Sequence, residues 1–178
     1  MRTGIVSDSH GNYENLKKAG EKMVKKHNVE LIIHLGDDSP EADILKDLNV
    51  KILTVPGVYE ELYKKEEIKN RLIEIFKGWK CLISHTIKAH ENDLEHDIKP
   101  EEVIENKKTD IVLYGHSHIP SIHEENGILF INPGHLKYED KKGYGPTYCV
   151  ADFTEKRVSV EIIELQNENI LKNFTWKK

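Results

Sequence analysis

The chain has 178 residues, 38% of them hydrophobic, and its 26 Lys and Arg against 31 Asp and Glu leave a net charge of −5. A chain of this length fits one domain spanning residues 1–178 that buries about 70% of the surface its unfolded form exposes, so its core needs neither disulfides nor a structural metal. The acidic balance, with no basic block, argues against a nucleic-acid backbone binder, and no apolar run reaches the ~18 residues of a membrane span.

The N-terminal Met1-Arg2-Thr3-Gly4 carries no apolar leader ahead of a small-residue cleavage site, so the protein is expected in the cytoplasm. Strands are expected at Thr3–Ser7, Leu31–Leu35 and Lys51–Val55. Leu16, Ala19, Gly20, Met23 and Val24 recur at helical spacing between the first two. Ser39-Pro40-Glu41 supplies an N-cap, a first-turn proline and a first-turn acid for a helix over Ala42–Leu48. This half reads as βαβαβ. Further along, Leu72–Phe76 and Trp79–Ile83 flank Lys77-Gly78, and Ile122–Glu124 and Ile128–Asn132 flank Asn126-Gly127, two hairpin signals. A helix beginning near Pro100 precedes a strand at Ile111–Tyr114. Thr147–Phe153 and Arg157–Glu164 form a last antiparallel pair. Residues 84–99 and 134–146 read as polar loops, and the tail after Leu165 has too weak a pattern to place. Cys81 and Cys149 sit in apolar stretches and read as buried thiols. The fold class is mixed α/β.

Four polar clusters fall where strands end, the place from which open α/β sheets present ligands. They are Asp8-Ser9-His10, Gly36-Asp37-Asp38, Ser84-His85 and Gly115-His116-Ser117-His118. Asp and His together suit Mn, Fe, Zn, Co or Ni better than Ca or Mg. Residues i and i+2 of an extended chain share a face, so Asp8 with His10, and His116 with His118, can reach related or adjacent metals if the strand geometry continues through them. Asp37 can bridge two cations about 3.5–4 Å apart, the spacing that suits in-line displacement at phosphorus.

In this series the chain resembles the calcineurin-like metallophosphoesterases, in particular their small bacterial and archaeal phosphodiesterases. The resemblance rests on Asp8-Ser9-His10, Gly36-Asp37, Gly57-Val58-Tyr59-Glu60, His85, Gly115-His116-Ser117-His118 and Asn132-Pro133-Gly134, in that order, and it runs from residue 1 to about 165. It implies a four-layer α/β/β/α sandwich of two mixed sheets. It also implies two divalent transition-metal ions, Mn first among the candidates, one on Asp8, His10, Asp37 and His118 and the other on Asp37, His85 and His116. On the same resemblance Asp37, His85 and His116 would take the catalytic roles, with a metal-bound hydroxide expected to hydrolyse a small phosphoester.

Val58 departs from this pattern. It stands where the family has an Asn ligand, and valine has no lone pair to give, so the second metal is expected to bind more weakly, with Glu60 the nearest replacement. Tyr59 stands where active phosphatases commonly carry His. Thr86-Ile87 replaces the family's Gly-His after His85. A competing reading is therefore a catalytically degenerate, metal-binding scaffold for protein–protein interaction. Of the other polar residues, Asp38 reads as a turn former or as a group orienting a ligand histidine, Asn12 as a phosphate contact or a helix lead-in, and His34 as a packed histidine. His90, Glu91, Asp93, Glu95, His96 and Asp97 read as a solvated loop, and His135 and Lys137 as rim residues within conceivable reach of substrate. Pairing into a homo-oligomer is left open.

Overall fold

A computed structural model describes residues 1–178. Strand β1 (Arg2–Val6) pairs in parallel with β2 (Leu31–His34), which pairs in parallel with β3 (Lys51–Thr54). On its other side β1 runs antiparallel to β9 (Thr147–Phe153), which continues into β10 (Arg157–Glu164) and β11 (Ile170–Lys177), giving the order β11-β10-β9-β1-β2-β3. A second sheet has the order β4-β5-β6-β8-β7, from β4 (Arg71–Phe76), β5 (Trp79–Ser84), β6 (Ile111–Leu113), β7 (Ser121–Glu125) and β8 (Ile128–Asn132). Here both hairpins are antiparallel, while β5, β6 and β8 run parallel.

Alternation along these strands produces the layers. Ile5, Ile33, Cys149 and Ala151 of the first sheet meet Cys81, Ile83, Ile111, Leu113, Leu129 and Ile131 of the second in one apolar core. Residues of opposite parity face outward. Val6, Ile32, Tyr148 and Val150 pack under Leu16, Ala19 and Met23 of α1 (Tyr13–Lys25), and Leu82, Val112 and Phe130 pack under Val103 of α2 (Pro100–Glu105). The result is helix on sheet on sheet on helix, the architecture the sequence resemblance implies. Cys81 and Cys149 are free and buried.

Two segments depart from the sequence reading. Ser39–Leu48 forms a 3₁₀ helix rather than an α-helix over Ala42–Leu48. Ser39, Ala42 and Leu45 are buried and Leu48 packs on the same apolar cluster as Leu45, a spacing of three that suits three residues per turn. Residues Asp38 and Asn49, both in the left-handed region, bound it. The tail, which the sequence pattern left unplaced, forms β11 and extends the first sheet. A register shift between Ile162 and Ile163 puts Leu171 out of phase with Phe174 and Trp176, which hides the strand's alternation from a period-two reading. A short 3₁₀ turn, Glu61–Lys64, interrupts the long connection to β4.

Candidate metal centre

The C-terminal ends of β1, β2, β5 and β6 lie along one rim, and the polar clusters that follow them converge there. Donor atoms of Asp8, His10, Asp37 and His118 lie within 4.8 Å of one another, as do those of Asp37, His85 and His116. Asp37 belongs to both groups. Its Oδ2 is 3.3 Å from His10 Nε2 and its Oδ1 is 3.3 Å from His85 Nε2, so one carboxylate faces both.

The backbone reaches this arrangement by a route the sequence did not suggest. Extended geometry does not persist through Asp8-Ser9-His10 or His116-Ser117-His118, because β1 stops at Val6 and β6 at Leu113. Instead Asp8, His10, Asp37, His116 and His118 all have left-handed backbone, with φ of 55°, 46°, 56°, 64° and 61°. Asp and His visit this region more readily than most side chains, yet such residues still cost on the order of 1 kcal/mol each. The folded rim holds them there. Close backbone approach needs glycine at two points: a Cβ at Gly57 would lie 2.1 Å from Asp37 Oδ1, and one at Gly115 would lie 2.0 Å from Ser7 Oγ and 2.7 Å from Asp8 Oδ2. Asn132 braces the second turn by donating to Gly115 O at 2.9 Å and Ser117 Oγ at 3.0 Å, which gives Asn132-Pro133-Gly134 a physical role.

Asp8 is fully buried and accepts from the His116 backbone N–H through Oδ2 at 3.0 Å. Its Oδ1 has no hydrogen-bond donor in good geometry, although His118 Nε2 is 3.1 Å away and His10 Nε2 3.9 Å. His10 Nε2 and His118 Nε2 are themselves 3.1 Å apart, as are His85 Nε2 and His116 Nδ1 at 3.2 Å. A buried oxygen without a donor, ringed by imidazole nitrogens, is the donor chemistry a transition-metal cation satisfies.

Protonation tendencies follow the same geometry. Burial pushes His10, His85 and His116 below the usual imidazole range, favouring the neutral rings that carry lone pairs. Asp37 is pushed up to about 7 by burial and by the neighbouring Asp8 charge. Burial also opposes ionisation of Asp8, but His118 and His85 outweigh it and hold this carboxyl below the ordinary range. Attraction to Asp8 and Asp140 raises His118 despite its burial.

Around these residues, His85 Nδ1 donates to Leu35 O at 2.7 Å, and His118 Nδ1 meets Asp140 Oδ2 at 2.6 Å. Each contact fixes a ring with its Nε2 turned toward the carboxylates. Asp140 was not legible from sequence, since nothing local separates it from Glu139 beside it in a polar loop. Asp38, weighed for such an orienting role, is a turn residue with φ 67°. Asn12 caps α1, accepting from the Asn15 N–H at 3.0 Å. His34 is buried and paired with Ser9 Oγ at 3.2 Å, and burial pushes it down to about 4. His135 is buried too, with Nε2 donating to Tyr144 O at 3.0 Å, so it packs behind His118 instead of facing solvent at the rim.

Val58 is fully buried and gives the second donor group no polar atom from its side chain. Glu60 does not replace it: Oε1 accepts from the Ser39 and Gly57 N–H groups at 2.9 and 2.6 Å, and Oε2 from Ser39 Oγ at 2.5 Å. The 84–99 loop is not a freely solvated acidic stretch. Asp93 Oδ1 accepts from Arg71 Nη2 at 2.9 Å and Tyr63 OH at 2.5 Å, and Asp97 Oδ2 accepts from Asn70 Nδ2 at 2.8 Å.

A carboxylate-bridged Asp/His cluster at the rim of a four-layer sandwich defines a class of metal-binding α/β proteins. Within that class, residues 1–156 match the calcineurin-like phosphoesterase superfamily domain, and the chain belongs to that superfamily. A phosphodiesterase of Methanocaldococcus jannaschii is 31% identical over 175 residues, covering 92% of this chain and 99% of the relative. The solved structure of an archaeal phosphodiesterase superposes with a TM-score of 0.70 at 27% identity, covering 92% of this chain and all of the other. Vps29 of Entamoeba histolytica, solved with zinc, shares the fold at a TM-score of 0.67 and 15% identity, over 99% of each chain.

Proposed function

We propose that the protein is a divalent-metal phosphodiesterase acting on a small phosphoester, with two unequal metal positions that share Asp37. The single observation that carries this reading is the pair of donor groups meeting on that carboxylate. In this reading Asp8, His10, Asp37 and His118 hold one cation, and Asp37, His85 and His116 hold the second more weakly because Val58 supplies no oxygen. Mn is the favoured metal, with Ni, Co, Fe and Zn able to use the same donors. Bound cations would lower the pKa of coordinated water and neutralise phosphoryl charge. The protein's own part is positional: Leu35 O and Asp140 lock two rings, and Asn132 braces the turn carrying two more.

The buried Val58 side chain also supports a second reading, a binding scaffold with a degenerate second position, and the likeness to Vps29 is a likeness of fold. Hydrolysis of bis-p-nitrophenyl phosphate with Mn²⁺, Ni²⁺ or Co²⁺ separates the two. Metal-dependent turnover that rises in Val58→Asn supports the enzyme. Inactivity of both proteins with every metal supports the scaffold.

A further inference from the structure

The loop after β5 brings a histidine that belongs to neither donor group to the edge of the second. Asn92 Nδ2 donates to Val58 O at 2.9 Å, Ala89 N donates to Glu101 Oε2 at 2.9 Å, and Asp93 is tied to the buried Arg71. Between these anchors, half-buried His90 sets its ring edge-to-face with Tyr59, centroids 5.3 Å apart. Tyr59 in turn lies 6.5 Å from the His116 ring. His90, His116 and Ser117 line one cavity of about 310 Å³.

Its hydrogen bonding sets His90 apart from His85 and His118. His85 and His118 direct Nδ1 at an oxygen, which leaves a lone pair on Nε2. In His90 the pattern is reversed: Nδ1 accepts from the Asn92 backbone N–H at 3.2 Å, so the proton of the neutral ring sits on Nε2. A ring in that tautomer has no lone pair for a cation at Nε2. It has a donor for an anion.

We propose that His90 is a substrate-contacting residue whose Nε2–H donates to a phosphoryl oxygen of a phosphoester held at the His85/His116 side of the centre. It supplies there a polar contact that Tyr59, two-thirds exposed, does not fix. This rests on the phosphoesterase reading for the ligand's identity. The Asn92 N–H sets the donor's orientation before substrate arrives, so little reorganisation accompanies binding.

The test uses Zn²⁺-loaded, ¹⁵N-labelled full-length protein titrated with inorganic phosphate, alongside turnover of bis-p-nitrophenyl phosphate with Mn²⁺. Long-range ¹⁵N–¹H spectra are expected to show the Nε2–H tautomer in His90, with its Nε2 resonance moving on phosphate addition. His90→Ala is expected to weaken phosphate binding and to lower kcat/KM roughly ten- to hundredfold. Zn²⁺ affinity and thermal midpoint stay at wild-type values, and His90→Asn, which keeps an N–H donor, recovers part of the loss. Glu91→Ala serves as the loop control and is expected to match wild type. An Nδ1–H tautomer, or a His90→Ala protein that binds phosphate and turns over like wild type, overturns the proposal. Wild-type protein that shifts His90 with phosphate yet hydrolyses no phosphoester with any metal upholds the contact and overturns the hydrolase reading alone.

Discussion

The two halves of the Asp/His cluster are built from the same residue types and share a carboxylate, yet they differ in completeness. The half around Asp8 has four donor residues, a buried oxygen without a hydrogen-bond donor, and a ring held from behind by Asp140. The half around His85 has three, and buried Val58, standing where the resemblance leads one to expect an Asn ligand, adds no polar side-chain atom. Glu60, the nearest carboxylate, is committed to Ser39 and Gly57. In the proposed reading, a shared carboxylate therefore does not make the two metal positions equal. What differs in that reading is the neighbouring segment, which adds a donor where it carries Asn and none where it carries Val58.

The bridging residue offers the largest effect. Asp37→Asn is expected to reduce Mn²⁺-dependent diester turnover by roughly a thousandfold or more, since several kcal/mol of charge stabilisation at both positions depend on it; a steady-state assay with matched metal concentrations checks this. If turnover fell by less than tenfold, the shared carboxylate would not be the link between the halves. Next comes the support behind the complete half. Asp140→Asn is expected to weaken the tighter metal site about 10- to 100-fold by releasing the His118 ring, while leaving the weaker site nearly unchanged. Calorimetric titration distinguishes a selective loss from an equal one.

Val58→Asn should act in the opposite direction and on the other half. Weaker-site affinity is expected to rise about tenfold, with some loss of thermal stability because an amide enters a buried position. The smallest effect at neutral pH concerns His34, which sits behind Ser9, between Asp8 and His10. Burial lowers its pKa from 6.5 to about 4, so the unfolded chain binds the extra proton between those values. Stability of the metal-free protein is therefore complete above about 6.5 and lost as pH falls toward 4, by up to roughly 3 kcal/mol. Denaturant melts of wild type and His34→Gln across that window are expected to show a steeper pH slope in wild type.

Much of this arrangement was readable before any coordinates, and the reason is specific. The donors stand at strand ends, strands announce themselves by runs such as Ile5-Val6 and Ile32-Ile33, and Asp and His directly after such runs are conspicuous. Not readable was the conformation that makes them converge, because left-handed backbone at Asp8, His10, Asp37, His116 and His118 depends on the surrounding rim and not on local propensity. Asp140 was hidden for a related reason: its partner His118 is 22 residues away. The same applies to the 84–99 loop. Its acidic composition suggests solvent, whereas Arg71 and Asn70 turn Asp93 and Asp97 into anchors. Strand β11 escaped notice because a register shift broke the alternation that would have marked it.

Inequality between the two metal positions is the claim on which the account turns, and titration of metal-free protein with Mn²⁺ by calorimetry tests it most directly. Two resolved binding steps are expected, the first tighter by at least about tenfold, with the gap narrowing in Val58→Asn. Two equally tight sites in the wild-type protein, or a gap that Val58→Asn leaves untouched, would contradict it.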